Sequence, residues 1–107
     1  MVKGLHRVVV TGLGAITPIG NTVEEYWDGL TSGRNGVAAI TLFDASKHAC
    51  KFAAEIKGFD PTGFLEPKES KRWDRFSKFG VIAAKQALAD SGLIIQESNS
   101  SRVGVII

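Results

Sequence analysis

The stretch "VVVTGLGAITPIGN", residues 8–21, runs three consecutive valines into a turn that holds two closely spaced glycines. Valines without polar alternation are typical of a strand that is buried on both faces, as in a parallel sheet. We therefore predict a strand over residues 7–13. A Gly-x-Gly turn directly after such a strand raises the question of whether the loop binds a dinucleotide phosphate.

The glycine spacing does not fit the known phosphate-binding loops. A dinucleotide fingerprint needs G-x-G-x-x-G with a helix that starts directly after the turn. Here Thr17 stands at the third glycine position, and no Gly-Lys-Ser/Thr follows as a Walker A loop requires. We interpret Gly12 and Gly14 as residues that let the chain turn and pack closely against a neighbour. A small nucleotide-binding domain remains an alternative.

The composition is that of one folded domain. The 107 residues are 44% hydrophobic, and 13 Lys plus Arg against 11 Asp plus Glu leave a formal charge of only +2. This balance gives no argument for nucleic acid or an anionic membrane as a partner. The single cysteine, Cys50, cannot form an intrachain disulfide, so we expect a reducing cytosol. No stretch approaches the roughly 18 apolar residues of a membrane span.

Two helices are predicted from start and stop signals. Thr22 with Glu25 three residues later matches a capping box, which predicts a helix over residues 22–32. A long helix is expected over residues 69–91, closed by Gly92. Its middle, "FGVIAA", is apolar nearly all round and rich in small residues, which indicates burial by more than one neighbour.

Shorter elements are expected between and after these helices. Residues 52–56 alternate apolar with less apolar side chains, as in an edge strand or hairpin arm. The Asp-Pro pair at residues 60–61 predicts a short helix that ends near Pro67. Residues 103–107, "VGVII", indicate a second buried strand. Two such strands with about two covering helices would leave apolar faces and open edges, so we expect the opening part of a larger α/β fold, or a piece cut from one.

Several motifs, in their order along the chain, are similar to motifs of one protein family. These are residues 7–37, "RVVVTGLGAITPIGNTVEEYWDGLTSGRNGV", then "FDAS", "KESKRWDRFSKFGVIAAKQALADSGL" and "RVGVII". They resemble the N-terminal segment of bacterial and plastid β-ketoacyl-acyl-carrier-protein synthases, the type II elongating enzymes above all. The resemblance implies an α/β, thiolase-like fold, with residues 1–107 as the N-terminal part of its first domain, one α-β-α layered half.

The resemblance also implies an acyltransferase activity. Members of the family condense malonyl carrier with acyl carrier in fatty-acid elongation, using a cysteine thiolate and two histidines that lie beyond the part of the family this sequence matches. No catalytic residue is therefore carried over, and Cys50, His6 and His48 are not expected to replace them. The resemblance further implies that the enzyme uses no cofactor or metal and that the full-length enzyme is a homodimer. It also implies a cytoplasmic location, with plastid stroma as the second possibility.

Basic residues crowd the expected start of the long helix; they are Lys68, Lys71, Arg72, Arg75 and Lys78. Positive charge there would oppose the helix macrodipole, and like charges four residues apart repel. The cluster is either a solvated face or a binding surface. The resemblance implies that Lys68, Lys71 and Arg72 contact acyl carrier protein. Pro67 and Trp73 depart from the family's usual basic residue and methionine.

Two further alternatives stay open. The chain could be a shortened, non-catalytic product that keeps the carrier-binding residues, or a segment of a type I or polyketide ketosynthase, which share the glycine turn.

Overall fold

The computed structural model describes residues 3–107. Three α-helices and one two-stranded antiparallel sheet are formed in this range. In chain order they are α1 (Val23–Thr31), β1 (Ala38–Ala39), β2 (Phe52–Ala53), α2 (Pro67–Arg72), α3 (Arg75–Ser91) and a 3-10 turn (Ser100–Arg102). In the sheet, Ala38 pairs with Ala53 and Ala39 with Phe52. Of the edge strand or hairpin arm predicted over residues 52–56, residues 52–53 form a strand and residues 54–56 do not.

The first helix forms where its capping signal predicts it. The Thr22 hydroxyl accepts a hydrogen bond from the Glu25 amide at 3.1 Å. The Glu25 carboxylate accepts one from the Asn21 amide at 2.8 Å, one residue earlier than in a standard capping box. Both contacts satisfy backbone donors that a helix start leaves unpaired. The helix, Val23–Thr31, lies within one residue of the prediction at each end.

The predicted long helix is wrong in its first part, because it is two helices. Trp73 and Asp74 are extended, with ψ of 141° and 156°, so the helical hydrogen-bond ladder stops between α2 and α3. Asp is among the preferred residues at an N-cap, and the Asp74 carbonyl accepts from the Lys78 amide at 3.2 Å. The other end is confirmed: Gly92 adopts the left-handed conformation, φ +70°, after Ser91.

The short helix predicted from the Asp-Pro pair is also wrong. The Asp60 carboxylate accepts from the Thr62 amide at 2.9 Å, which forms a local turn, and the chain then continues irregularly. Pro67 begins α2 instead of following a helix. Proline suits the first helical position because the amide hydrogen it lacks would have no partner there.

Neither predicted apolar strand forms a ladder. No strand is assigned over residues 7–13 or 103–107, because no other strand among residues 3–107 lies beside them. Their side chains are exposed: Val8 keeps 88% and Ile106 99% of its accessible surface. The expectation that these side chains are buried therefore does not hold among the described residues.

The glycine turn packs against the backbone of α3. A methyl group added at Gly12 would overlap the Ala87 carbonyl oxygen and lie 2.7 Å from the Ser91 amide nitrogen. A methyl group at Gly14 would overlap the Ala83 carbonyl. The interpretation of these glycines as residues of close approach is thus confirmed, and the space that a pyrophosphate would need at this turn holds a helix.

Side chains of α3 replace strand partners for the same segment. The Leu13 amide donates to the Asp90 carboxylate at 2.9 Å, and the Ala15 amide donates to the Gln86 side-chain oxygen at 3.0 Å. The Gln86 side-chain nitrogen donates in turn to the Asn21 carbonyl at 2.7 Å. One helix therefore holds both ends of the glycine turn.

The described chain is open rather than compact. Its radius of gyration is 17.9 Å, against about 13 Å for a compact domain of this length. Its accessible surface is 8988 Å², against about 5,800 Å² for a compact chain of this mass. Only Ala45, Leu65 and Ile82 are buried apolar residues among those described. In the same range, no helix combines the length and hydropathy needed to cross a membrane.

Candidate functional site

Helix α2 carries three exposed cations, Lys68, Lys71 and Arg72, which we call the basic surface. Among residues 3–107, no acidic side chain forms an ion pair with any of the three, and none of them donates a side-chain hydrogen bond; the ion pair present there joins Arg34 to Asp28. Unpaired, exposed cations attract an anionic partner at a distance and lose little solvation on meeting it. The structure thus brings together the three residues that the family resemblance indicated.

The break before α3 changes the electrostatics predicted for this cluster. Lys71 and Arg72 lie in the last turn of α2, where the helix dipole favours positive charge. The expectation that they oppose the dipole of a long helix is therefore wrong. Glu69 lies in the first turn, where negative charge is favoured. Lys71, Arg72 and Glu69 thus suit the dipole of α2, whereas Lys68, the second residue of the helix, opposes it.

Arg75, the fourth member of the sequence cluster, is also exposed, but unlike the three cations of α2 it makes contacts within the described chain. Its guanidinium donates to the Ile56 carbonyl at 2.7 Å. The guanidinium carbon also lies 5.7 Å from the centre of the Phe59 ring and 5.1 Å from that of Phe79, within cation–π range. The fifth member, Lys78, is half-buried on α3. The five-residue cluster therefore divides into a basic surface on α2 and two cations on α3.

A surface groove of about 510 Å³ lies beside the basic surface, between residues 61–66 and α2. Lys71 and Lys85 line it together with Glu66 and Glu69, so its wall carries both signs of charge. Lys85 donates through its ammonium group to the Phe64 carbonyl, which ties the turn before α2 to the middle of α3. The groove gives the basic surface a concave flank.

The two departures from the family pattern lie at the ends of α2. Pro67 is its first residue, and Trp73 follows its last residue in the extended break, with 36% of its surface exposed. Neither side chain lies between the three cations and solvent. The basic surface therefore remains accessible despite both substitutions.

The cysteine and histidines do not form a reactive group. Cys50 is exposed, and its thiol donates to the Phe52 carbonyl at 3.3 Å. The His48 ring packs edge-on against Phe43, with 5.5 Å between ring centres, and no hydrogen bond joins it to Cys50. His6 is exposed. Within the described range, no group of three or more His, Cys, Asp or Glu side chains converges as metal ligands would.

The described chain thus combines a glycine turn packed on a helix with a separate short helix of exposed cations. The model of the β-ketoacyl synthase N-terminal domain matches residues 5–107, and the chain belongs to that family. The thiolase-like α/β fold implied by the sequence resemblance is confirmed with it.

The similar proteins are named as synthases or ketosynthases. The chain is 59% identical over 101 residues to the 3-oxoacyl-[acyl-carrier-protein] synthase 2 of Synechocystis, covering 94% of this chain and 24% of that protein. It is 46% identical over 102 residues to the synthase 2 of Vibrio harveyi, covering 95% and 25%. A solved structure, the ishigamide ketosynthase/chain length factor, superimposes with a TM-score of 0.72 at 37% identity, covering 80% of this chain and 21% of its own. The chain thus spans about a quarter of the length of its curated relatives.

Sequence reasoning does not identify three side chains that bond distant backbone carbonyls. Arg75 appears in the sequence only as a member of the basic cluster, and nothing singles out Lys85 or Gln86. Their partners are the carbonyls of Ile56, Phe64 and Asn21. These contacts join residues 19 to 65 positions apart, and backbone carbonyls carry no sequence signal.

Proposed function

We propose that residues 1–107 form the N-terminal part of the first thiolase-like domain of a 3-oxoacyl-acyl-carrier-protein synthase. The enzyme is an acyltransferase that condenses malonyl carrier with acyl carrier in fatty-acid elongation. The observation that carries this proposal is the 59% identity, over 94% of the chain, to a Synechocystis protein with that activity in its name.

The exposed surface of the chain supports a place within a larger fold. The accessible surface exceeds that of a compact chain of this mass by about 3,200 Å², an area typical of obligate interfaces. Much of the exposed apolar area lies on residues 8–10 and 103–107. We propose that further strands and helices of the synthase cover these segments, and that the assembled enzyme is a cytoplasmic homodimer.

The proposed reaction takes its reactive groups from outside these residues. A cysteine thiolate accepts the acyl group from its carrier thiol, malonyl carrier releases carbon dioxide, and the carbanion attacks the acyl thioester and expels the thiolate. Cys50 does not fit the nucleophile, because the hydrogen bond its thiol makes among residues 3–107 is to the Phe52 carbonyl and it lies in the loop before the hairpin strand β2. In the synthase, Cys50→Ser should leave the condensation rate unchanged.

The proposed role of the basic surface is to bind acyl carrier protein. Lys68, Lys71 and Arg72 are exposed, unpaired among residues 3–107, and carried by one helix. Contacts of this kind steer an acidic protein and fix its orientation, and they weaken with added salt.

A hybrid enzyme tests the activity. Residues 1–107 replace the matching segment of the Synechocystis synthase, and carbon dioxide release from malonyl carrier is measured with acyl carrier as acceptor. We expect a turnover within about tenfold of the parent enzyme, because the replaced and replacing segments are 59% identical over 101 residues. A soluble, folded hybrid without condensation would refute the proposal.

A matched pair of double variants tests the basic surface. Lys71→Glu with Arg72→Glu should raise KM for acyl carrier by about tenfold or more, equal to about 1.4 kcal/mol, and leave kcat nearly unchanged. Lys47→Glu with Lys51→Glu makes the same charge change on exposed residues of the loop before β2. An equal increase of KM in both pairs would reduce the effect to net charge and remove the docking role.

A polyketide ketosynthase is the second candidate, favoured by the structural match to the ishigamide ketosynthase/chain length factor. That match has 37% identity, below the 59% of the fatty-acid relative. A non-catalytic chain that binds carrier protein is the third. The hybrid separates them, since a non-catalytic segment would bind carrier but fail to restore turnover.

A further inference from the structure

Helix α2 has no anchor of its own among residues 3–107. None of its six residues is buried, and none of its side chains forms a hydrogen bond or ion pair in that range. An isolated helix of this length is unstable in water. The orientation of the basic surface must therefore be imposed by the residues at its two ends.

Both ends of α2 are held by cations of α3. Before α2, Lys85 donates to the Phe64 carbonyl, next to the buried Leu65. After α2, Arg75 lies three residues beyond the last helical residue, Arg72, and donates to the Ile56 carbonyl. Its guanidinium also faces Phe59 and Phe79, whose rings meet edge-on with 4.8 Å between centres. These contacts fix the place where the chain leaves α2.

We propose that Arg75 is a positioning residue that sets the orientation of the basic surface, and that it does not itself contact the carrier protein. Lys85 has the same role at the other end. This inference rests on the proposed function, in which the basic surface binds acyl carrier protein. It assigns different roles to neighbouring cations of one sequence cluster: those of the basic surface bind the partner, and Arg75 orients that surface.

Substitutions of Arg75 can distinguish a positioning role of its side chain from a role of its charge. A planar guanidinium can face two rings and donate to a carbonyl at once, whereas an ammonium group of similar reach is a compact, strongly hydrated charge. Arg75→Lys therefore keeps the charge and loses the anchoring geometry. Lys78→Met removes a cation one turn further along α3 that makes no side-chain hydrogen bond in the described structure, so it serves as the matched control.

The experiment compares Arg75→Met, Arg75→Lys, Lys71→Met and Lys78→Met in the hybrid synthase. KM for acyl carrier is measured over a series of salt concentrations, and amide exchange is measured over residues 67–72. Both Arg75 variants should raise KM by about three- to tenfold with kcat unchanged, keep the parent's salt dependence, and speed exchange over residues 67–72. Lys71→Met should flatten the salt dependence and leave exchange unchanged, and Lys78→Met should change neither.

Two results would overturn the assignment. If Arg75→Met flattens the salt dependence and Arg75→Lys restores it, Arg75 is a binding cation. If both variants leave KM and exchange at parent values, Arg75 does not position α2. Lys85→Met, with the same expected increase in KM and exchange, provides an independent variant should Arg75→Met fail to fold. Failure of the proposed function looks different: Lys71→Met would leave KM unchanged, while exchange would still report the Arg75 anchor.

Discussion

The sharpest test of the scaffold is Gly14→Ala. A Cβ at this position would overlap the Ala83 carbonyl oxygen, and would lie 2.9 Å from the Ala83 carbonyl carbon and 3.0 Å from the Ala87 amide nitrogen. All three are backbone atoms within α3, so no side-chain rotation can make room. The segment that contains Gly14 must move away from the helix.

The cost of that movement has two parts. Overpacking of a well-packed contact destabilises by about 1–3 kcal/mol. Moving the segment also lengthens the bonds from the Leu13 amide to Asp90 and from the Ala15 amide to Gln86, each worth about 0.5–3 kcal/mol depending on charge. We expect Gly14→Ala to lower the free energy of unfolding by about 2–4 kcal/mol.

Urea unfolding of the chain, followed by far-ultraviolet circular dichroism, measures this loss. With a slope of about 1–3 kcal/mol per molar urea, the midpoint should fall by roughly 1–2 M. Gly80→Ala is the control, because Gly80 lies within α3 with nothing within 4 Å of the added methyl group. It should raise stability by about 0.5–1 kcal/mol, since alanine favours a helix over glycine. An unchanged midpoint for Gly14→Ala, or equal losses in both variants, would refute the close approach to α3.

Three further changes test local contacts. Thr22→Ala removes the cap of α1 and should cost about 0.5–2 kcal/mol in the same urea titration. Gln86→Leu removes both bonds of a bridging amide, whereas Gln86→Glu keeps the acceptor for the Ala15 amide, so the Leu variant should unfold at lower urea. Hydrogen bonds from the Thr41 hydroxyl and amide hold the pKa of Glu55 below its usual 4.5. This stabilisation is present above that value and is lost as pH falls through the lowered pKa, so the protection of the Thr41 amide, relative to its intrinsic exchange rate, should fall as pH is lowered below 4.5, and Glu55→Gln should abolish that dependence.

Local signals account for the helix ends that the sequence predicts well. Thr22 caps α1 and Gly92 closes α3 because a side-chain oxygen or a positive φ is needed at those single positions. Asp74 carries the same kind of start signal. The apolar and basic pattern continues through Trp73 and Asp74, however, and for this reason the sequence predicts one long helix where the structure has two.

The strand predictions show what an apolar run does and does not specify. Residues 7–13 have the composition of a buried strand, but a strand also needs a neighbour to accept and donate backbone hydrogen bonds. Among residues 3–107, side chains of α3 take that place at Leu13 and Ala15. An apolar run alone therefore does not specify a strand, because the neighbour depends on contacts that a pattern along the chain does not contain.

Helix α3 links the scaffold to the basic surface. Its C-terminal half, from Ala83 to Ser91, receives the glycine turn, and its first residue, Arg75, anchors the exit of α2. These contact points are eight residues apart along one helix, a separation of about 12 Å at 1.5 Å per residue. Because a continuous helix keeps that distance and the angle between the two faces, the basic surface stands at a fixed position relative to the apolar segment at residues 8–10. Under the proposed function, the glycines and Arg75 would therefore both determine, from opposite ends of α3, where the carrier protein binds relative to the scaffold.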